Sequence, residues 1–216
     1  MSQTEKRKIC FVITSFIHYS RNFLILDELE KNEDVELHIV VGGTALVSRY
    51  TSKFANIHTF LEQDGHHNVH EAYFNLEGDS AIVKTKTAGI GISEFASIFN
   101  TIQPDVVIVR GDRFEVFSAV IAAAYMDIPI AHIEGGDLSG TIDESVRHAI
   151  TKMSHIHFTT NDESRQRVIK MGEHPDTVFN FGSPDVEVVQ KVEDLISMDI
   201  DATGRGLKHI DLDKDF

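Results

Sequence analysis

Short runs of β-branched and other apolar residues alternate along this chain with longer amphipathic stretches, a rhythm that predicts a parallel sheet covered by crossover helices. The runs place strands near residues 8–14 (KICFVIT), 35–41 (VELHIVV), 105–109 (DVVIV), 129–133 (PIAHI), 155–160 (HIHFTT) and 177–181 (TVFNF). Helices are expected between them near 20–31, 44–54, 80–102, 113–126, 143–153 and 161–171, with one more from Val186 to Ile196. Val106, Val107, Ile108 and Val109 form an uninterrupted apolar run, the pattern of a central strand buried on both faces. Residues 56–79 break the rhythm with Gly65, a histidine-rich stretch and Gly78, and read as a long loop holding a short strand from His70 to Phe74. Residues 1–198 are therefore expected to form a doubly wound α/β domain, and 199–216, charged and without a period, a linker.

Composition narrows the function. With 216 residues, 42% of them hydrophobic, the chain can bury a core of ordinary size. Its 20 Lys and Arg against 34 Asp and Glu give a formal charge of −14, which repels phosphate backbones and anionic lipid surfaces. A general nucleic-acid or membrane-surface binder is excluded on that ground. A local anion site is still open, because a helix N-terminus with one or two basic side chains holds phosphate inside an acidic protein. The single cysteine, Cys10, rules out an internal disulfide and multi-cysteine metal patterns. The apolar run after the polar residues 1–8 is too short for a signal peptide or a transmembrane span. No targeting segment is read, and the expected location is the cytoplasm.

In an open parallel sheet, ligands sit beyond the carboxyl ends of the strands. Asp112 follows the strand ending at Val109 through Arg110 and Gly111, and Glu134 directly follows the strand ending at Ile133, with Gly135 and Gly136 next. If these strands are neighbours, the two carboxylates point into one cleft, as general acid and base work requires. The alternative is that each acid caps a helix or solvates the rim. Thr141 and Glu144 have capping-box spacing, and Asp143 and Arg147 are four apart, which a plain salt bridge would explain. That helix nevertheless starts close enough to Ile133 to overhang the same cleft, where Arg147 could meet a phosphate.

His66, His67 and His70 are the densest histidine group, but no acid or cysteine stands at a metal-ligand spacing, so they are read as surface loop and no metal is expected. His132 and His157 alternate with apolar residues inside strands and are expected to be core histidines. There is no P-loop, and Gly89-Ile90-Gly91 lacks the context of a dinucleotide fingerprint; no nucleophile elbow is present either. Cys10, within the first strand, is expected to be a core thiol.

The motifs GDRFE, HIEGG, SGTIDESVRHAITK, HIHF and FGSP occur in this order between Gly111 and Pro184. Together they resemble the hydrolysing UDP-N-acetylglucosamine 2-epimerases, in particular the sialic-acid and related nonulosonate branch, and the resemblance covers most of residues 8–186. It implies a Rossmann-like domain, the N-terminal half of a two-domain fold like that of the B-type glycosyltransferases, with a UDP-sugar in the cleft between the halves. It implies elimination of UDP across C1 and C2 followed by hydration, with no metal and no cofactor. The substrate would be UDP-N-acetylglucosamine or a UDP-diacetamido-trideoxyhexose. Asp112, Glu134 and Asp143 match the family's catalytic acids. Arg147, Gly135, Arg113, His18 and Arg21 are the expected substrate-binding positions. Homo-oligomers are common in the family.

Phe16 stands where that family usually carries a diphosphate-binding arginine, so Arg21 and His18 are the candidates to replace it. The chain also ends where the resemblance leads one to expect a second domain, so this chain alone is expected to be inactive. Two alternatives stay open: a noncatalytic nucleotide-sugar-binding half that works with a partner chain, and a glycosyltransferase of the same architecture.

Overall fold

The computed structural model describes residues 6–47 and 57–197. Seven parallel strands form one sheet in the order β3-β2-β1-β4-β5-β6-β7. These are β1 (Arg7–Ile13), β2 (Val35–Gly42), β3 (Val69–Ala72), β4 (Val106–Arg110), β5 (Ile130–Ile133), β6 (Ile156–Thr159) and β7 (Val178–Asn180). The helices are α1 (Phe16–Lys31), α2 (Ile57–Gln63), α3 (Ala81–Ile102), α4 (Phe114–Tyr125), α5 (Ile142–Met153), α6 (Asp162–Lys170) and α7 (Pro184–Ser197). The strand order reverses between β1 and β4, which makes this a doubly wound Rossmann-like sheet with its ligand crevice at that reversal.

Successive residues of a strand face opposite sides, so the sheet separates two cores. Cys10, Val12, Val107 and Val109 face α3 and α4, while Phe11, Ile13, Ile39 and Val41 face α1. β4 meets both cores, with Val107 and Val109 fully buried on one face and Ile108 only partly buried on the other, so its unbroken run overstates the burial of the second face. Burial raises the Cys10 thiol far above its ordinary range, consistent with a core role. Gly91 lies where α3 crosses α4: a Cβ there would come 3.0 Å from Cβ of Ser118. Gly91 therefore serves helix packing, whereas a Cβ on Gly89 would meet nothing within 4 Å.

Several predicted elements are corrected. α1 begins at Phe16, four residues earlier than expected, because Ser15 acts as N-cap and accepts from the amide of His18. The helix expected over 44–54 is a single 3₁₀ turn, Gly43–Leu46, followed by extended Val47; the rest lies outside the described residues. Its first residues are tied instead to the end of β1, since Thr44 Oγ1 and the Ala45 amide both donate to the Thr14 carbonyl. The irregular region contains α2 as well as β3, with Ile57 and Leu61 buried. His66 is core rather than surface loop, 4% exposed, with Nδ1 2.9 Å from Glu30. The expected linker at 199–216 lies outside the described residues. Among the described residues no helix is long and apolar enough to cross a membrane.

Candidate active site

β4 and β5 are paired in parallel, Arg110 opposite Ile133, so both end at the same edge of the sheet. The chain turns sharply there. Gly111 has φ 79° and donates its amide to Ile133, and Glu134 has φ 69° and donates to the Phe158 carbonyl. A left-handed conformation suits glycine but costs a residue with a side chain about 1–2 kcal/mol, so Glu134 must be held there by its neighbours. Arg110 does so: its Nη2 lies 2.5 Å from Oε1 of Glu134.

Arg110 is itself 1% exposed. The same Nη2 reaches Oδ1 of Asp185 at 2.7 Å, and Nη1 donates to the Arg21 carbonyl and to Oδ1 of Asn22. Burial opposes its charge, but the hydrogen bonds and negative charges of Glu134 and Asp185 outweigh burial and raise its pKa. Sequence reasoning missed Arg110, Asn22 and Asp185. The available signal was a charged residue closing an otherwise apolar central strand.

His18 stands across Gly111 from Glu134. A Cβ on Gly111 would lie 3.9 Å from both Oε2 of Glu134 and Nε2 of His18, so the missing side chain leaves room between them. Burial, with the positive charges of Arg113, Arg110 and Arg21 behind it, lowers the His18 pKa to about 3. A neutral imidazole thus sits among three guanidinium groups, its Nδ1 3.2 Å from Oγ1 of Thr14. Arg21 is half exposed, 3.6 Å from Asp185. Phe16 packs its ring against Phe60 and Tyr19, so an aromatic contact fills the place where the resemblance expects a cation.

Arg147 donates to Oδ2 of Asp112, and both side chains are mostly buried. The expected Asp143–Arg147 bridge is therefore absent, because Arg147 reaches over the loop to β4's end. Thr141 caps α5 by accepting from the Asp143 amide, while Glu144 turns back to the amides of Ser139 and Gly140, both at 2.8 Å, rather than completing a capping box. Those two amides hold the Glu144 carboxyl below its usual range. Asp143 is exposed, one helical turn before Arg147, with Oγ1 of Thr141 at 3.4 Å.

Arg113 forms a two-pronged pair with the fully buried Glu115, at 2.6 and 3.1 Å, beside a cavity of about 320 Å³ that Thr44, Lys84 and Thr87 also line. Gly135 is buried, and a Cβ on it would press on Thr151 and His132 at 3.1 and 3.2 Å, so its smallness serves packing behind the site. His132 is sealed in the core, with Nε2 2.9 Å from the Gly111 carbonyl and Nδ1 3.2 Å from Thr151. The structure thus gathers Arg110, Glu134, Asp185, Arg21 and His18 into one cluster and Asp112 with Arg147 into a second on the same strand end. Asp143 shares α5 with Arg147 but forms no hydrogen bond or ion pair with either cluster.

The chain has extensive similarity to known proteins. It is 35% identical over 185 residues to UDP-N,N'-diacetylbacillosamine 2-epimerase (hydrolyzing) of Legionella pneumophila, covering 86% of this chain and 48% of that protein. Polysialic acid biosynthesis protein P7 of Escherichia coli is 34% identical over 178 residues, 82% of this chain and 44% of that one. The crystal structure of UDP-GlcNAc 2-epimerase from Neisseria meningitidis bound to UDP-GlcNAc shares the fold, with a TM-score of 0.74 at 19% identity over 88% of this chain and 51% of that one. The chain spans about half the length of the curated relatives it matches. A family model described as UDP-N-acetylglucosamine 2-epimerase matches residues 27–211, most of the chain and the strand-end residues from Arg110 to Asp185, and the chain belongs to that family.

Proposed function

We propose that this chain is the acid-bearing N-terminal half of a hydrolysing nucleotide-sugar 2-epimerase. The overall reaction converts a UDP-2-acetamido sugar and water into the C2-inverted free sugar and UDP. In the first step a carboxylate takes the proton from C2 while the C1–oxygen bond to UDP breaks, its electron pair leaving with UDP and a C1–C2 double bond forming. In the second, water adds its oxygen at C1 and a proton returns to C2 from the opposite face. The two steps need a carboxylate base and a carboxylic acid in one cleft. Asp112, Glu134 and Asp143 supply these groups. The neutral His18 and the cations Arg21, Arg113 and Arg147 supply contacts for the leaving diphosphate and the sugar.

The observation that carries this reading is Glu134. It is held in a costly left-handed conformation by a buried arginine, at the strand edge where ligands bind, with Asp112 in the loop that follows the neighbouring strand. The hydrolysing relative acts, by its name, on a UDP-diacetamido sugar, which favours that substrate over UDP-N-acetylglucosamine. The test is UDP release from both nucleotide sugars by the full-length polypeptide and by residues 1–216 alone. Release by the full-length protein, with free C2-inverted sugar as co-product, is expected. No release from either substrate overturns the reading. Transfer to an acceptor with C2 retained identifies a glycosyltransferase instead, and release only after a separate chain is added identifies a half-enzyme that works with a partner.

A further inference from the structure

Arg110 heads the large side chains sealed in the interior, yet it ends at the edge of the candidate active site. Its Nη1 is occupied by the Arg21 carbonyl and Asn22, and its Nη2 serves Glu134 and Asp185 at once, at 2.5 and 2.7 Å. One positive charge is thus divided between two carboxylates. Asp185 lies in the first turn of α7, which packs on α1, and its other oxygen stands 3.6 Å from Nε of Arg21. Where α7 rests against α1 therefore sets how much of the Arg110 guanidinium is left for Glu134.

We infer that Arg110 and Asp185 are positioning residues for Glu134, Arg110 clamping its carboxylate at the strand edge and Asp185 sharing the same guanidinium and so setting how firmly the clamp holds. The functional consequence rests on the reading of Glu134 as a working carboxylate given above; the clamp itself does not. The charged and titratable groups grouped around Glu134 are Arg110 from β4, His18 and Arg21 from α1, Arg113 ahead of α4, and Asp185 from α7. His18 is neutral, and Arg113 is matched by Glu115. Arg147, on α5, is engaged by Asp112.

The signs follow. Asp185→Asn removes a neighbouring negative charge and weakens the competing hydrogen bond to Arg110; both changes favour the ionised carboxylate, so Glu134 should bind its proton less tightly. Arg110→Gln removes the positive charge, and Glu134 should bind its proton more tightly. A role confined to holding the fold together does not move one titration in opposite directions from two sides.

The experiment labels the full-length protein with ¹³C at the glutamate carboxyl carbons and identifies the Glu134 resonance by its disappearance in Glu134→Gln. Its titration midpoint is then read in the unmodified protein, in Asp185→Asn and in Arg110→Gln. A fall of about one pH unit in Asp185→Asn is expected, the lower end for a charged neighbour, with a rise in Arg110→Gln. Asp185→Asn is isosteric and partly exposed, so it keeps the fold even where Arg110→Gln, which opens a buried site, does not. An unchanged or raised midpoint in Asp185→Asn overturns the inference. The titration reads Glu134 whether or not the protein releases UDP. A midpoint that moves while the acid limb of kcat/KM stays fixed supports the clamp and removes Glu134 from the role of base.

Discussion

Arg147, on the second turn of α5, donates to the carboxylate of Asp112, which lies 35 residues earlier at the end of β4. The pair joins two elements that the sequence separates, and it orients both side chains at the mouth of the crevice. Side-chain exposures of 13% for Arg147 and 20% for Asp112 mean that neither charge is freely solvated, so each depends on the other.

If Asp112 and Arg147 act as one unit, their losses do not add. On the proposed function, Asp112→Asn and Arg147→Met are each expected to lower UDP release at least ~10²-fold. The double variant should lose about as much as the worse single one. Multiplying losses in the double variant would show two independent residues.

Glu134→Gln should cost at least ~10²-fold in turnover and lower thermal stability by less than Arg110→Gln does, because the amide oxygen still accepts from Arg110 and Asp185 still balances its charge. Asp143→Asn, at an exposed position, should lose rate in the same way with thermal stability nearly unchanged. Rates near that of the unmodified enzyme for either variant would remove that residue from the proposed chemistry.

One buried histidine, His132, and one partly buried histidine, His18, make the fold sensitive to acid. His132 and His18 have pKa values lowered to about 3, chiefly by burial, whereas in the unfolded chain each titrates near the ordinary value of 6.5. The unfolded state therefore binds more protons between these values, and stability present above pH 6.5 is lost as the pH falls toward 3. Thermal midpoints measured from pH 7 to pH 4 should fall, and His18→Gln should flatten the decline. An equal slope in that variant would mean that His18 is charged in the folded protein.

Gly136 has φ 82°, and a Cβ there would stand 2.5 Å from the Ser164 carbonyl oxygen and 2.8 Å from Val168. Both obstacles belong to α6, whose backbone cannot yield without disturbing its packing. Gly136→Ala should therefore destabilise the domain by about 2 kcal/mol or more, read from urea denaturation. Gly140, also left-handed but with open space around it, should lose less on the same change, and equal losses would point to φ alone as the cause.

The contrast between Asp112 and Arg147 also shows how far sequence reading reaches. The run at Val106–Val109 marks a central strand without any knowledge of its neighbours, since burial on both faces leaves a continuous apolar stretch. A parallel sheet then places Asp112 and Glu134 at one edge, because every strand points the same way and a loop after one strand lies beside a loop after the next. Helix α2 escaped notice because its seven residues are too few to display a period, and a 3₁₀ turn replaces the expected helix start at Thr44 because its first residues bond to Thr14, just after β1.

Local pattern by itself thus determined the class of fold, the central strand and the stretch of chain in which the candidate acids fall. Only the tertiary structure decided which cation each acid meets: Arg147 with Asp112 rather than Asp143, and Arg110 with Glu134 and Asp185, 24 and 75 residues away. It also decided that His66 is core and that Phe16 joins an aromatic cluster. The reason is physical. Hydrophobic periodicity is a property of neighbouring residues, whereas the partner of a buried charge depends on strand order and helix placement across the whole domain, where a difference of a few ångströms determines which carboxylate a guanidinium can reach.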